Sequence, residues 1–395
     1  MTIIIDLRIA LTLLKRGEKM PAKIHTILFV LLIVIVLACG CQSEKTIEHS
    51  ASDYNIETDD QPFWDGTKSA ASTKYGYYFM INHSLYLYDH TSRELMPLCG
   101  RMDCAHKGDD CNACFDDFIE SIGYYKEHLY MVGRGEGERK RELYLYQVTA
   151  DGSQRKKLCK LGRLDDDCES YSFLVAVHRG YFYYSILPFQ RLMVDRNVTA
   201  CRISLTDGNY QKEEFYRKEG LGAAIYGFWA YGDKILFNSA YRTDTEESQE
   251  KVSCCYYDTE KEEVVEDVVT GDETTDAVYA AGDDIYFCKD GGFFSISTKD
   301  GSKKEYETEI FENERSIISY DFTDLYSLDN EAGILQVFDT KTFEKKKQIE
   351  WGKKWEMLFG DEKLLFAIDY EDSCLLVYDK SQDGSWERVD FGRWE

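Results

Sequence analysis

Cys99, Cys104, His106 and Cys111 fall within one short stretch and carry the donor types of a metal centre. The stretch reads Pro97-Leu98-Cys99-Gly100-Arg101-Met102-Asp103-Cys104-Ala105-His106 and continues to Cys111-Asn112-Ala113-Cys114. Three thiols and an imidazole in a Gly- and Asp-rich loop could close a tetrahedral zinc site of the Cys3His kind, with Cys114 as a spare ligand. The same thiols could pair as disulfides, because Cys111-Asn112-Ala113-Cys114 fits a redox pair as well as a metal knuckle. An oxidising compartment favours that second outcome, and free thiols are a third. All three stay open at the level of sequence. Cys201, Cys254, Cys255, Cys288 and Cys374 lie within expected strands, where cysteine behaves as a small buried hydrophobe.

No other constellation in the chain has the residue types and spacing that catalysis needs. The motifs of a Gly-x-Ser-x-Gly elbow, a His-Glu-x-x-His helix and a phosphate-binding glycine loop are missing, so no catalytic residue is assigned. Of the 7 histidines, His83, His90, His128 and His178 occupy different positions of a repeat and do not converge in sequence. Acidic pairs such as Asp109-Asp110, Asp165-Asp166-Asp167 and Asp283-Asp284 read as solvated turns in a chain with 72 acidic and 47 basic residues. The resulting net charge of -25 repels nucleic acid, which is excluded as a partner.

Residues 20–38 have the layout of a secretory signal. Lys23 precedes an unbroken apolar run from Ile27 to Leu37, which is short for a membrane-spanning helix. The run ends at Val36-Leu37-Ala38-Cys39, which resembles a lipobox. The resemblance implies cleavage before Cys39 and attachment of a diacylglycerol to its sulfur, with Cys41 as the alternative site. The protein is then expected at the outer face of the cell membrane, held by lipid, as a monomer. Residues 1–19 fit this layout poorly. Arg16-Gly17-Glu18-Lys19 back-translates to a purine-rich run suited to ribosome binding, so translation is expected to start at Met20. Residues 39–60 are polar and are expected to form a flexible tether.

Residues 61–395 repeat one unit, two short aromatic-rich β runs separated by turns and followed by a charged strand. The first run recurs as Gly76-Tyr77-Tyr78-Phe79, His128-Leu129-Tyr130-Met131 and Gly180-Tyr181-Phe182-Tyr183. Four more copies begin near Asp233, Asp283, Asp324 and Glu362. The second run recurs as Leu85-Tyr86-Leu87-Tyr88-Asp89, Leu335-Gln336-Val337-Phe338-Asp339 and Leu375-Leu376-Val377-Tyr378-Asp379, among others. Asp-Gly pairs at Asp151-Gly152, Asp207-Gly208 and Asp300-Gly301 supply the positive φ of two-residue hairpins. The spacing, roughly 40 to 54 residues, is that of propeller blades. The expected fold is all-β, a β-propeller of seven blades, each a four-stranded antiparallel sheet. Six is the alternative if the innermost strand of the first repeat, sought within Thr67 to Thr73, serves another blade. The alternating aromatics are expected to pack between blades. Trp64, Trp229, Trp351 and Trp355 are expected to be more exposed, with nothing to group them.

The Tyr-rich repeats, together with a first blade ending in Leu98-Cys99 and followed by the Cys/His cluster, resemble surface lipoproteins of anaerobic Gram-positive bacteria with TolB-like or quinoprotein-like propellers. The resemblance covers most of the chain and implies a fold, without an activity to carry over. Two functions follow as expectations. The first is a lipid-anchored extracytoplasmic propeller that binds or scaffolds a protein or glycan without catalysis. The alternative is an extracellular glycan-active enzyme with acids gathered at the central channel.

Overall fold

Each sequence repeat forms one antiparallel sheet of four strands, and seven such sheets make a seven-bladed β-propeller. The computed structural model describes residues 55–391, apart from segments 61–68, 82, 107–110, 116–117, 136–140, 165–169, 190–193, 243–249, 272–275, 290–291, 311–316, 330, 353–354 and 382–384. The proposed lipidation positions Cys39 and Cys41, and Trp64, lie outside the described residues. Blades 1 to 7 span residues 70–97, 118–163, 170–221, 224–271, 276–306, 317–350 and 355–390. Among the described residues there is no helix long and apolar enough to cross a membrane. The first strands of blades 1 to 6 adjoin one another in turn, and those of blades 7 and 1 do likewise, so they line the axis.

The aromatic alternation has a direct structural reading. Successive side chains of a strand point to opposite faces, and a blade has a neighbour on each face. In the second strand of blade 1, Gly76–Ile81, every residue is buried. Tyr77 and Phe79 face Phe366 and Ile368 of blade 7, whereas Tyr78 and Met80 face Ile122, Tyr124 and Leu129 of blade 2. Aromatic-rich strands are therefore what a stack of sheets requires, and Tyr and Phe fill the wedge between blades.

Every blade is built from contiguous chain, in the order of its strands. The first strand of blade 1, Ala70–Ser72, lies within the expected segment and pairs with its own neighbour, Ala71 opposite Tyr78. Among the described residues no strand is exchanged to close the ring. Closure rests on side chains at the seam of blades 7 and 1. There, the Phe366 ring lies 4.5 Å from Tyr77, 5.0 Å from Phe79 and 5.4 Å from Tyr88. The Tyr77 hydroxyl donates to Asp361 Oδ2 at 2.5 Å, and Arg93 pairs with Glu387 at 3.0 Å.

The turns explain much of the acidity. Asp89, Asp258 and Asp339 end third strands, and each carboxylate accepts backbone N–H groups two and three residues on. Hydrogen bonds from Thr342 and Lys341 hold the Asp339 carboxyl well below the usual range. The Asp-Gly turns differ from expectation in length. The glycines do take positive φ, but Thr149 pairs with Gln154 and Ser297 with Ser302, leaving loops of four residues rather than two. Asp151 and Asp300 accept N–H from Ser153 and Ser302, a local bond that the longer loop permits.

Two further features depart from the sequence reading. Asn55–Asp60, the last residues of the expected tether, are docked on the propeller. Asp59 is buried and forms a bidentate pair with Arg179, with N···O distances of 3.1 and 3.2 Å. The Asp60 N–H donates to His178 Nδ1 at 2.9 Å, and His178 Nε2–H donates to the Gly232 carbonyl at 2.7 Å. Glu57 reaches Lys74 at 3.4 Å and accepts from the Tyr124 hydroxyl. The segment thus touches blades 1 to 3, and the His178 bond continues to blade 4. The tryptophans also group together. Trp351, Trp355 and Trp386 form a triangle of edge-on contacts with centroids 5.3 to 5.8 Å apart, and Trp351 is buried. Trp229 is half-buried against the blade 4–5 core.

Candidate functional site

The loop after blade 1 brings Cys99, Cys104, His106 and Cys111 together. One donor atom from each lies within 4.8 Å of all the others. The Cys111 sulfur is 3.8 Å from His106 Nδ1, close to the edge of about 3.5 Å for a tetrahedron with ordinary Zn–S and Zn–N bonds. Local backbone geometry aims N–H groups at the sulfurs. His106 N–H donates to Cys104 Sγ at 3.4 Å, and Ala113 N–H donates to Cys111 Sγ at 3.4 Å. Burial pushes the Cys99 thiol up, but N–H groups of Arg101 and Asn112 and the neighbouring thiols outweigh it, leaving Cys99 below its ordinary value. Burial dominates at Cys111 and pushes that thiol up to about 12. Cys114 stands apart from this set, its thiol donating to the His106 carbonyl at 3.1 Å. None of Cys99, Cys104, Cys111 and Cys114 is joined in a disulfide in the structure.

The loop is wedged between blades 1 and 2. Leu98, Cys111, Ala113 and Phe115 are buried against Leu129, Met131 and Val148 of blade 2. Asn112 Nδ2 donates to the carbonyls of Gly152 and Ser153 at 2.9 and 3.0 Å. Arg155 donates to the Cys114 carbonyl at 2.8 Å and lies over the Phe115 ring. Gly152 is required here twice over. Its φ is +67°, and a Cβ would sit 2.5 Å from the Leu98 carbonyl oxygen.

A second site opens at the mouth of the axis. A cavity of about 540 Å³ is lined by the first turns of blades 1, 6 and 7 and by Ile56 of the docked segment. Ser72, Thr73 and Thr323 contribute hydroxyls, and Lys74, Glu362 and Lys363 contribute charge. The Asp321 and Asp361 carboxylates also line it, yet both hold structure. Asp321 accepts from Thr323 and Asp324 N–H groups, the Tyr326 hydroxyl and Lys380 Nζ. Burial holds its carboxyl above the ordinary range despite that ammonium group. Asp361 accepts from Tyr77 and from the Lys363 and Leu364 N–H groups.

No family model matches the chain, and no curated protein matches it either. Solved structures similar to it include Sqt1 of Saccharomyces cerevisiae, with a TM-score of 0.44 and 10% identity over 84% of this chain and 89% of that one. An uncharacterized protein of Listeria monocytogenes EGD-e has a TM-score of 0.44 and 10% identity over 67% of this chain and 80% of its own. AztD of Citrobacter koseri has a TM-score of 0.41 and 10% identity over 84% and 95%. At these levels the likeness carries nothing about function.

The sequence located the Cys/His cluster because its members are close in the chain. It missed His178, Asp59 and the axial cavity, whose parts come from positions far apart.

Proposed function

We propose that this protein is a lipid-anchored binding propeller at the outer face of the cell membrane, which receives its ligand at the axial cavity. The observation that carries this reading is the cavity itself. It is of small-molecule size, lies at the mouth of the ring and is bounded by the exposed charges of Lys74, Glu362 and Lys363 and by the half-buried Thr323, on three blades. A protein or a glycan would present one side chain or sugar unit to it. The Asp321 and Asp361 carboxylates are committed to turns, to Tyr77 and to Lys380, which favours recognition over hydrolysis. Anchoring at Cys39 would place a short polar span between the membrane and Asn55, and docking of Asn55–Asp60 would then bring the chain in beside the same cavity.

The test is a panel of glycans, cell-wall fragments and envelope proteins applied to the full chain and to Thr323→Trp and Lys363→Trp, which narrow the cavity. A ligand that binds the parent and loses at least about tenfold (1.4 kcal/mol) in both variants supports the reading. A ligand bound equally by all three places recognition elsewhere.

A further inference from the structure

We infer that Cys99, Cys104, His106 and Cys111 bind one zinc ion, and that this ion locks residues 98–106 and 111–115 into the seam between blades 1 and 2. Convergence separates a metal from the disulfide alternative. Disulfides join sulfurs in pairs, and a pair among Cys99, Cys104 and Cys111 would leave the third thiol and the imidazole aimed at the bond without a role. Here all four donors share one centre. The nearest candidate for a fourth sulfur, Cys114, turns its thiol to the His106 carbonyl instead. Cysteine and histidine donors in a three-to-one set are those that suit zinc, and a fully protein-filled coordination shell marks a structural centre.

The N–H groups of His106 and Ala113 reach the sulfur of the cysteine two residues earlier. Such bonds spread the negative charge that thiolates carry when a cation is bound. The loop has purpose for a cross-link. It is rich in polar residues, its buried apolar groups are few, and four-ligand closure supplies what a small core cannot. It is also tied to blade 2 through Asn112 and Arg155, so a zinc-closed loop transmits its rigidity across the seam. Zinc binding releases protons from the three thiols and forms three Zn–S bonds and one Zn–N bond, with no oxidant or reductant needed.

The experiment uses the full chain, purified in detergent under nitrogen. Elemental analysis should find close to one zinc per chain, and cobalt(II) exchange should give the visible bands of a tetrahedral, thiolate-ligated ion. Cys104→Ser and His106→Ala should each lower zinc occupancy at least about tenfold, whereas Cys114→Ser should retain it. If the ligand variants fail to fold, the cobalt spectrum and thiol titration of the parent protein still decide. Metal-free parent protein with these thiols unreactive to alkylation would overturn the inference in favour of disulfides. Metal-free protein with Cys99, Cys104 and Cys111 all titratable would overturn it in favour of free thiols. Loss of zinc in Cys114→Ser would overturn the ligand set.

Discussion

Removing the Phe366 ring tests how the propeller closes. With no strand exchanged among the described residues, the seam of blades 7 and 1 is held by packing, and Phe366 is its centre, fully buried against Tyr77, Phe79 and Tyr88. Truncating a buried phenylalanine to alanine costs about 3–5 kcal/mol, from lost burial and the cavity left behind. A typical domain has a total stability on the order of 5–15 kcal/mol, so Phe366→Ala should forfeit a large share. The comparison is Phe237→Ala, equally buried at the seam of blades 3 and 4, with rings of Tyr216 and Phe228 at 5.0 and 6.0 Å. Equilibrium urea unfolding, followed by fluorescence and extrapolated to water, should give similar losses for the two variants. If Phe366→Ala cost under about 1 kcal/mol while Phe237→Ala cost the full amount, closure would not depend on this packing and the argument would fail.

Three further outcomes are expected. Burial lowers the His178 pKa, and Asp59, Asp60 and Arg179 are the charged groups facing it, so the docked state keeps the imidazole neutral. A histidine held below its free value of about 6.5 favours docking above that pH and loses the contribution as pH falls. Amide protection factors at residues 55–60, with rates corrected for intrinsic base-catalysed exchange, should therefore fall between pH 7 and 5, and pH-independent protection would refute the link between His178 and docking. Gly152→Ala should lower stability and loosen the Cys/His loop, because its Cβ meets the Leu98 carbonyl; unchanged thermal unfolding would contradict the contact. Intact-mass analysis should find a diacylglycerol at Cys39 of the mature chain, Cys39→Ala should abolish it, and an acylated product from that variant would move the site to Cys41.

What the sequence disclosed follows from range. Strand alternation is a local property, so seven repeats and their packing faces were legible in runs such as Tyr77-Tyr78-Phe79. The Cys/His cluster was legible for the same reason. Asn55–Asp60 read as a tether because their composition is polar, and polarity says nothing about partners at His178 and Arg179, more than a hundred residues away. Trp351 and Trp355 flank the passage from the outer strand of blade 6 to the first strand of blade 7, and Trp386, just before the outer strand of blade 7, joins them in a way no periodicity reports. The Asp321–Lys380 pair is hidden likewise, because a buried ion pair and a solvated turn use the same residues.

The most direct test of binding at the axial mouth is photo-cross-linking in living cells. A benzophenone amino acid would replace Lys363, which is exposed at the cavity, or Lys303, on the outer strand of blade 5. Covalent capture of a protein or glycan from position 363 and not from position 303 is the predicted result. Capture from position 303 alone, or from neither position, would contradict the account.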